Sequence, residues 1–221
     1  MAPAYKDVVV VAISLLAVSA FVLAAFALSR WRGASPASIR KGLHIAVGAW
    51  TLFVTPYFHA LAWALVPPAL FLIVNASPQA QPLFRAIQGT PDRAKGLWTF
   101  PAGVILVYAL FWESGARPAI LAGLSALAFA DPAAELVGTR LGQRKYHRFG
   151  HGRSLEGSLA FLLVAAFGAA FVASSHPGWT LTWRAGIGCG LIGAAVEAIT
   201  PSGWDNLTIP VAVAAAYHFL V

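Results

Sequence analysis

The chain is a succession of apolar runs separated by short polar punctuation. The runs fall at about 7–29, 42–57, 59–75, 99–112, 118–138, 155–174, 185–199 and 206–221. Within each, hydrophobic positions are continuous rather than alternating, which selects helices over the strands of a membrane barrel. Only a helix or a closed barrel satisfies its own backbone in hydrocarbon. The pattern therefore predicts an all-α fold: a polytopic transmembrane helical bundle of about eight spans. It forms one domain over 1–221, with no soluble domain. Several runs are shorter than the usual ~20 residues of a span, as short or tilted helices beside a polar site would be. Between the third and fourth runs, 76–98 is the longest polar stretch, and its "PLFRAI" predicts a short interfacial helix.

Composition sharpens this picture. The chain is 59% hydrophobic and 10% charged, against about 25% charged in a soluble domain. Its net charge of +7 would suit nucleic acid, but the positions of the charges exclude that partner. Counted by alternate loops, one side holds Arg30, Arg32, Arg40, Lys41, Arg85, Arg93, Lys95, Arg140, Arg144, Lys145, Arg148 and Arg153; the other holds only Lys6, Arg117 and Arg184. The positive-inside rule puts the rich side in the cytoplasm and both termini outside. The expected place is a bacterial or archaeal cytoplasmic membrane. Trp31, Trp98 and Trp204 fall near the inner interface, and Trp112, Trp179 and Trp183 near the outer one. The first span, 7–29, ends in an A-x-A-like "AAFALS". Its charge follows rather than precedes it, so it reads as a retained helix.

The acids are few and informatively placed. Asp7, Asp92 and Glu113 lie in loops or at ends and need no special account. Asp131, Glu135, Glu156, Glu197 and Asp205 lie within or beside apolar spans, where an ionised carboxylate is costly unless paired or hydrated. Five such groups mark a candidate site. The plainer alternative for each is an ion pair with a nearby arginine. Asp131 and Glu135 share a helix face. Ala134, Gly138 and Gly142 form a small-residue stripe beside them, suited to close helix packing. Carboxylates beside Lys and Arg at one membrane face suit a magnesium–polyphosphate ligand. Arg30 and Arg32 read more simply as topology and headgroup contacts, whereas Arg153, between glycine and Glu156, reads as functional.

Other motifs carry less. "GCGLIG", 188–193, matches a dinucleotide fingerprint but lies inside a span with no strand before it. No P-loop occurs. His147 and His151 alone do not make a zinc site, and the single Cys189 supports neither disulfide nor thiolate metal site. Asn75-Ala-Ser and Asn206-Leu-Thr match the glycosylation pattern on the cytoplasmic side.

Four segments together resemble the CTP-using integral-membrane lipid kinases, the phytol kinase and dolichol kinase family. They are "RKGLHIAVG" (40–48), "RAKGLWTFP" (93–101), "ADPAAELVGTRLG" followed by "GHGRSLEGS" (130–158), and "VEAITPSGWDNLTIP" (196–210). The family-like core covers 40–210, and the first span lies outside it. Phosphatidate cytidylyltransferases share the central core but carry a different C-terminal signature from "SGWDNLTIP". Arg153 stands where the kinases commonly carry Lys.

The resemblance implies transfer of the γ-phosphoryl group of CTP to the hydroxyl of a membrane lipid alcohol: phytol, geranylgeraniol, a polyprenol or diacylglycerol. Magnesium would be the cofactor. It implies Asp131 as leading metal ligand and catalytic residue, with Glu156 and Asp205 as metal ligands or cation-orienting groups. Arg153 and Lys41 would bind phosphate, seconded by Arg40 and Lys145. Ser154, Ser158 and Asn206 would make polar contacts, and Gly157 would allow close backbone approach. His44 would orient the hydroxyl or take its proton. Glu135, Gly138, Gly142 and Glu197 are weaker members. A cytidylyltransferase forming a CDP-lipid, and a transporter of an anionic solute, are the competing readings. Against the transporter, the acids cluster at one face and no inverted repeat is visible.

Overall fold

The computed structural model describes residues 3–31, 35–88, 95–113, 115–148, 151–174, 182–201 and 203–221. Arg32, Asp92, Arg93 and Trp179 of the sequence reading lie outside the described residues. The chain is helical almost throughout. The helices are α1 (Pro3–Ser29), α2 (Pro36–Val54), α3 (Leu61–Ala76), α4 (Gln81–Gln88), α5 (Lys95–Phe111), α6 (Arg117–Ser125), α7 (Asp131–Arg140), α8 (Leu155–Ser174), α9 (Thr182–Ile199) and α10 (Asp205–Leu220). Each of the eight apolar runs coincides with helix, and "PLFRAI" is α4. By length and composition, three helical stretches among the described residues suffice to cross a membrane: Ala4–Ser29, Arg117–Arg140 and Leu155–Ser174. Leu61–Ala76 and Lys95–Phe111 are shorter apolar helices.

One departure from an all-α fold is found. The basic run after α7 forms an antiparallel hairpin, β1 (Lys145–Arg148) with β2 (His151–Ser154), Tyr146 opposite Arg153. Its polar composition hid it. The strand pattern is too short for alternation to register, and the β-forming Tyr146 stands among cations.

At the centre, α6 and α7 are joined by a π-helical turn, Ala126–Ala130, into one continuous helix. Pro132 explains the turn. It has no N–H to give the Ala128 carbonyl, and the Asp131 N–H reaches five residues back to Ala126. The Leu127 carbonyl thus loses its usual donor at Asp131, and its next candidate, Pro132, has none. His44 of α2 donates Nε2–H to it at 2.8 Å. The same remedy serves α5. Pro101 leaves the Leu97 carbonyl without its helical donor, and the buried Asn75 side chain of α3 supplies one. α10 packs against α5, α6 and α9. Buried Phe161, Ile120, Leu124, Leu127, Ile209 and Val213 fill the space between them.

α1 is tied to the bundle at the end away from the basic loops. Asp7, only 1% exposed, accepts from the backbone N–H groups of His59 (2.8 Å) and Ala60 (3.2 Å) and from the His59 ring (3.1 Å). Asp7 therefore needs an explanation after all: it binds the N–H groups of the two residues that lead into α3, His59 and Ala60. Trp112 follows the end of α5. It is buried, edge-on to Tyr108 and covered by the Arg117 guanidinium 4.6 Å from its ring.

Replacing Asp7 by Ala leaves two N–H groups without their acceptor. It should cost about 1–3 kcal/mol, read as a lower thermal midpoint in detergent. Asp7→Asn, which keeps an acceptor oxygen, should recover most of the loss.

Candidate active site

The four motifs are far apart in sequence, yet the ends of α2, α5, α7, α8, α9 and α10 converge with the hairpin on one cavity of about 720 Å³. Arg40, Lys41 and His44 reach it from the first turns of α2, one helical turn apart, so that they share a face. Asp131, Glu135 and Gly138 line it from α7, again at four- and three-residue spacing. The hairpin contributes Lys145, Arg153 and Ser154; α8 contributes Gly157 and Ser158; α9 contributes Glu197; and α10 contributes Asp205 and Asn206. Glu156 and Gly142 do not line it. Glu156 turns away and accepts the Arg144 N–H through both carboxylate oxygens, at 3.2 and 3.3 Å. It sits in the first turn of α8, where successive residues point about 100° apart. With Arg153, Gly157 and Ser158 facing the cavity, Glu156 is on the hairpin side.

The cavity's charges divide into two groups. Some are paired across helices. Glu135 bridges Lys41 (3.3 Å) and Arg40 (3.6 Å). Glu197, nearly buried, is ion-paired with Arg153, whose guanidinium also donates to the Thr200 carbonyl at 3.0 Å. Glu197 further accepts from Ser158 Oγ at 3.2 Å, so Ser158 in turn accepts from the Tyr146 hydroxyl at 2.7 Å. For Glu135 and Glu197 the plainer ion-pair reading is the one found. By contrast, among the described residues Asp131 and Asp205 form no contact ion pair, although each lies in the field of the other's carboxylate or of Arg153. Asp205 accepts only the N–H of Asn206 among the hydrogen bonds found, at 3.0 Å.

Ser154 caps α8 by accepting the Gly157 N–H at 3.0 Å, a helix-start role. The small-residue stripe packs α7 against α8. A Cβ on Gly157 would lie 2.8 Å from the Ala134 carbonyl oxygen, and one on Gly142 would overlap Ser154 and the Gly138 carbonyl. Asn206 donates to Thr99 at 3.4 Å, tying α10 to α5. His44 stands edge-on to Phe100, with ring centres 5.1 Å apart. Its Nε2 carries the proton, because a carbonyl can only accept, and the neutral ring then has its lone pair on Nδ1.

Among the described residues no three His, Cys, Asp or Glu side chains cluster as a metal site. Magnesium beside a polyphosphate usually takes only one or two protein carboxylates, with phosphate and water completing the shell. Two unpaired carboxylates in a cation-rich cavity fit that demand.

Sequence reasoning gave no role to Lys95, Thr139, His147 and Gly203, which also line the cavity. Lys95, Thr139 and Gly203 had a visible signal, since all three sit inside the quoted motif segments. Gly203 has φ of +86°, in the left-handed region that glycine adopts without strain, and turns the chain into α10 directly against the Lys95 side chain.

Compared with known proteins, the chain is similar to phytol kinase of Synechocystis sp., at 27% identity over 183 residues. The match covers 80% of this chain and 76% of that protein. No family model matches the chain, and no solved structure matches it. The similarity supports the resemblance to phytol kinase read from the motifs.

Gly157→Ala should force α7 and α8 apart and cost about 1–3 kcal/mol, seen as a lowered melting midpoint. Gly42→Ala, whose Cβ meets nothing within 4 Å, should leave the midpoint unchanged or raise it.

Proposed function

We propose that the protein is a kinase of membrane lipid alcohols, moving the γ-phosphoryl group of CTP to the hydroxyl of an isoprenoid or similar alcohol. One observation carries this reading: unpaired Asp131 and Asp205 share a cavity with Lys41, Arg40, Lys95, Lys145 and Arg153, at one end of an otherwise apolar bundle. Phosphoryl transfer needs little covalent help from a protein. It needs positioning and stabilisation of charge on the transferring group. The similarity to a phytol kinase points to the same chemistry.

In this reading the cations draw the triphosphate into the cavity and hold it. Their partners matter as much as they do. Glu197 and Thr200 fix the Arg153 fork in place, so it meets the phosphates already oriented, and Glu135 holds Lys41 and Arg40 together. Asp131 and Asp205 would hold magnesium, which would neutralise charge on the phosphates. The alcohol oxygen attacks the γ-phosphorus as the bond to the β-phosphate oxygen breaks, leaving CDP and the lipid monophosphate. His44 is placed to take the hydroxyl proton at Nδ1, its Nε2–H being held by the Leu127 carbonyl. The positive-inside charge distribution supports a cytoplasmic position for the cavity, where the nucleotide would be.

Purified protein with magnesium, lipid alcohols and phosphatidate tests the reaction. Label from γ-labelled CTP should appear in the lipid. Label from α-labelled CTP should not; its appearance would make the protein a cytidylyltransferase. Asp131→Asn should lower turnover by about 10²-fold or more with the fold intact by melting, and near-normal turnover would remove the metal assignment. His44→Ala should lower turnover more than it changes the KM for CTP.

A further inference from the structure

A second cavity, of about 410 Å³, lies between α1, α2, α3 and α5. It shares Val47, Phe71 and Phe100 with the charged cavity, so the two adjoin across these three side chains, one polar and the other apolar. Phe100 is also the ring against which His44 stands. The boundary is therefore one side chain away from the group placed to receive the hydroxyl proton.

The apolar cavity is built for hydrocarbon. Two of its hydroxyls are committed to their own helices, Ser14 to the Val10 carbonyl and Thr51 to the Val47 carbonyl; Ser19 and the indole N–H of Trp50, which has no partner among the described residues, are the polar groups left on its wall. Its far end is closed by Phe58 and by Tyr108, whose hydroxyl is bonded to Thr55 at 2.7 Å. A cavity lined so largely by hydrocarbon favours apolar guests. One flank is open. Leu23 of α1 and Leu70 and Val74 of α3 line the cavity and are also exposed on the outside of the bundle, the side that faces lipid. α1 supplies a whole wall, through Val18 and Val22 among others. The Asp7 clamp holds that wall in place. The span outside the kinase-like core is thus part of the cavity.

We propose that this cavity is the binding site for the hydrocarbon chain of the alcohol. The chain enters sideways between α1 and α3, and its hydroxyl lies past Phe100 towards His44 and Asp131. At roughly 30 Å³ for each small group, the cavity holds on the order of a dozen carbons. A longer chain leaves through the lateral opening into the bilayer. The cavity therefore discriminates among short prenyl alcohols and stops discriminating once it is full. The choice of an alcohol as occupant rests on the kinase reading above.

The test compares prenol, geraniol, farnesol and geranylgeraniol as acceptors in the wild type, Val18→Trp and Ala64→Leu, which narrow the cavity from opposite walls. Leu16→Trp, on the exposed face of α1, is the control. Wild-type kcat/KM should rise from prenol to farnesol and then level off. The narrowing variants should lose about tenfold or more on farnesol while keeping prenol activity and the KM for CTP. An unchanged chain-length profile in both variants overturns the proposal.

A second measurement needs no turnover. Farnesol carrying a diazirine at its far end is photolysed in wild-type protein in phosphatidylcholine vesicles, with and without excess geranylgeraniol. Label within 14–23 and 64–74 that geranylgeraniol suppresses supports the site, even if one narrowing variant fails to fold. Label confined to lipid-facing positions such as Phe167 and Phe171, or label in the cavity that geranylgeraniol does not displace, overturns it. If the wild type transfers no phosphate to any alcohol, the kinase reading fails, and the photolabel alone decides whether the chain site stands.

Discussion

Every backbone carbonyl in an apolar bundle needs a donor, and this chain places prolines where they remove them. Pro101 and Pro132 each break a helical hydrogen bond among hydrophobic neighbours, where water cannot repair the loss. The repairs come from other helices: Asn75 reaches the Leu97 carbonyl and His44 reaches Leu127. Each repair fixes the relative position of two helices. The second also fixes a tautomer, and does so beside the cavity. The π-helical turn before Asp131 is the local consequence, and such turns recur at functional sites. Placing Asp131 and orienting His44 are thus one structural event.

A second constraint is the cost of charge. Most of the acids near the spans are compensated by cations or backbone N–H groups from a different element, so charge also acts as a connector. Glu135 links α7 to α2. Glu197 links α9 to the hairpin through Arg153 and to α8 through Ser158, which Tyr146 of the hairpin bonds in turn. Glu156 ties α8 to the Arg144 backbone, and Asp7 ties α1 to the start of α3. Asp131 and Asp205 stand apart from this scheme, and they flank the region where the cations gather. An uncompensated pair of carboxylates in a sheltered cavity persists at a cost in stability, which is the pattern expected where a site's function opposes its stability.

Packing completes the arrangement. Gly157 and Gly138 let α7 and α8 touch, and Gly142 lets the chain after α7 lie against Ser154 of the hairpin. Without that closeness Asp131 and Glu135 of α7 would be separated from Ser158 of α8 by lipid or side chains. The site is therefore a product of small residues as much as of charged ones.

Helix content was legible from continuous apolar runs, because a span in hydrocarbon has no other way to satisfy its backbone. The membership of the cavity was also largely legible, because a carboxylate or arginine beside an apolar run is rare enough to carry information by itself. Glu156 and Asp7 show the limit of that signal. Both are acids beside spans, yet one faces the hairpin and the other holds the turn before α3. A charge's position along the chain does not say which way a helix turns it or what lies opposite. The hairpin was hidden by its polar composition, and the role of the first helix as a cavity wall was hidden by its uniform hydrophobicity. Sequence determined which residues cost too much to be idle. Only the tertiary structure decided which of them are compensated by one another and which are left unpaired, because compensation depends on distances between helices that no spacing along one helix encodes.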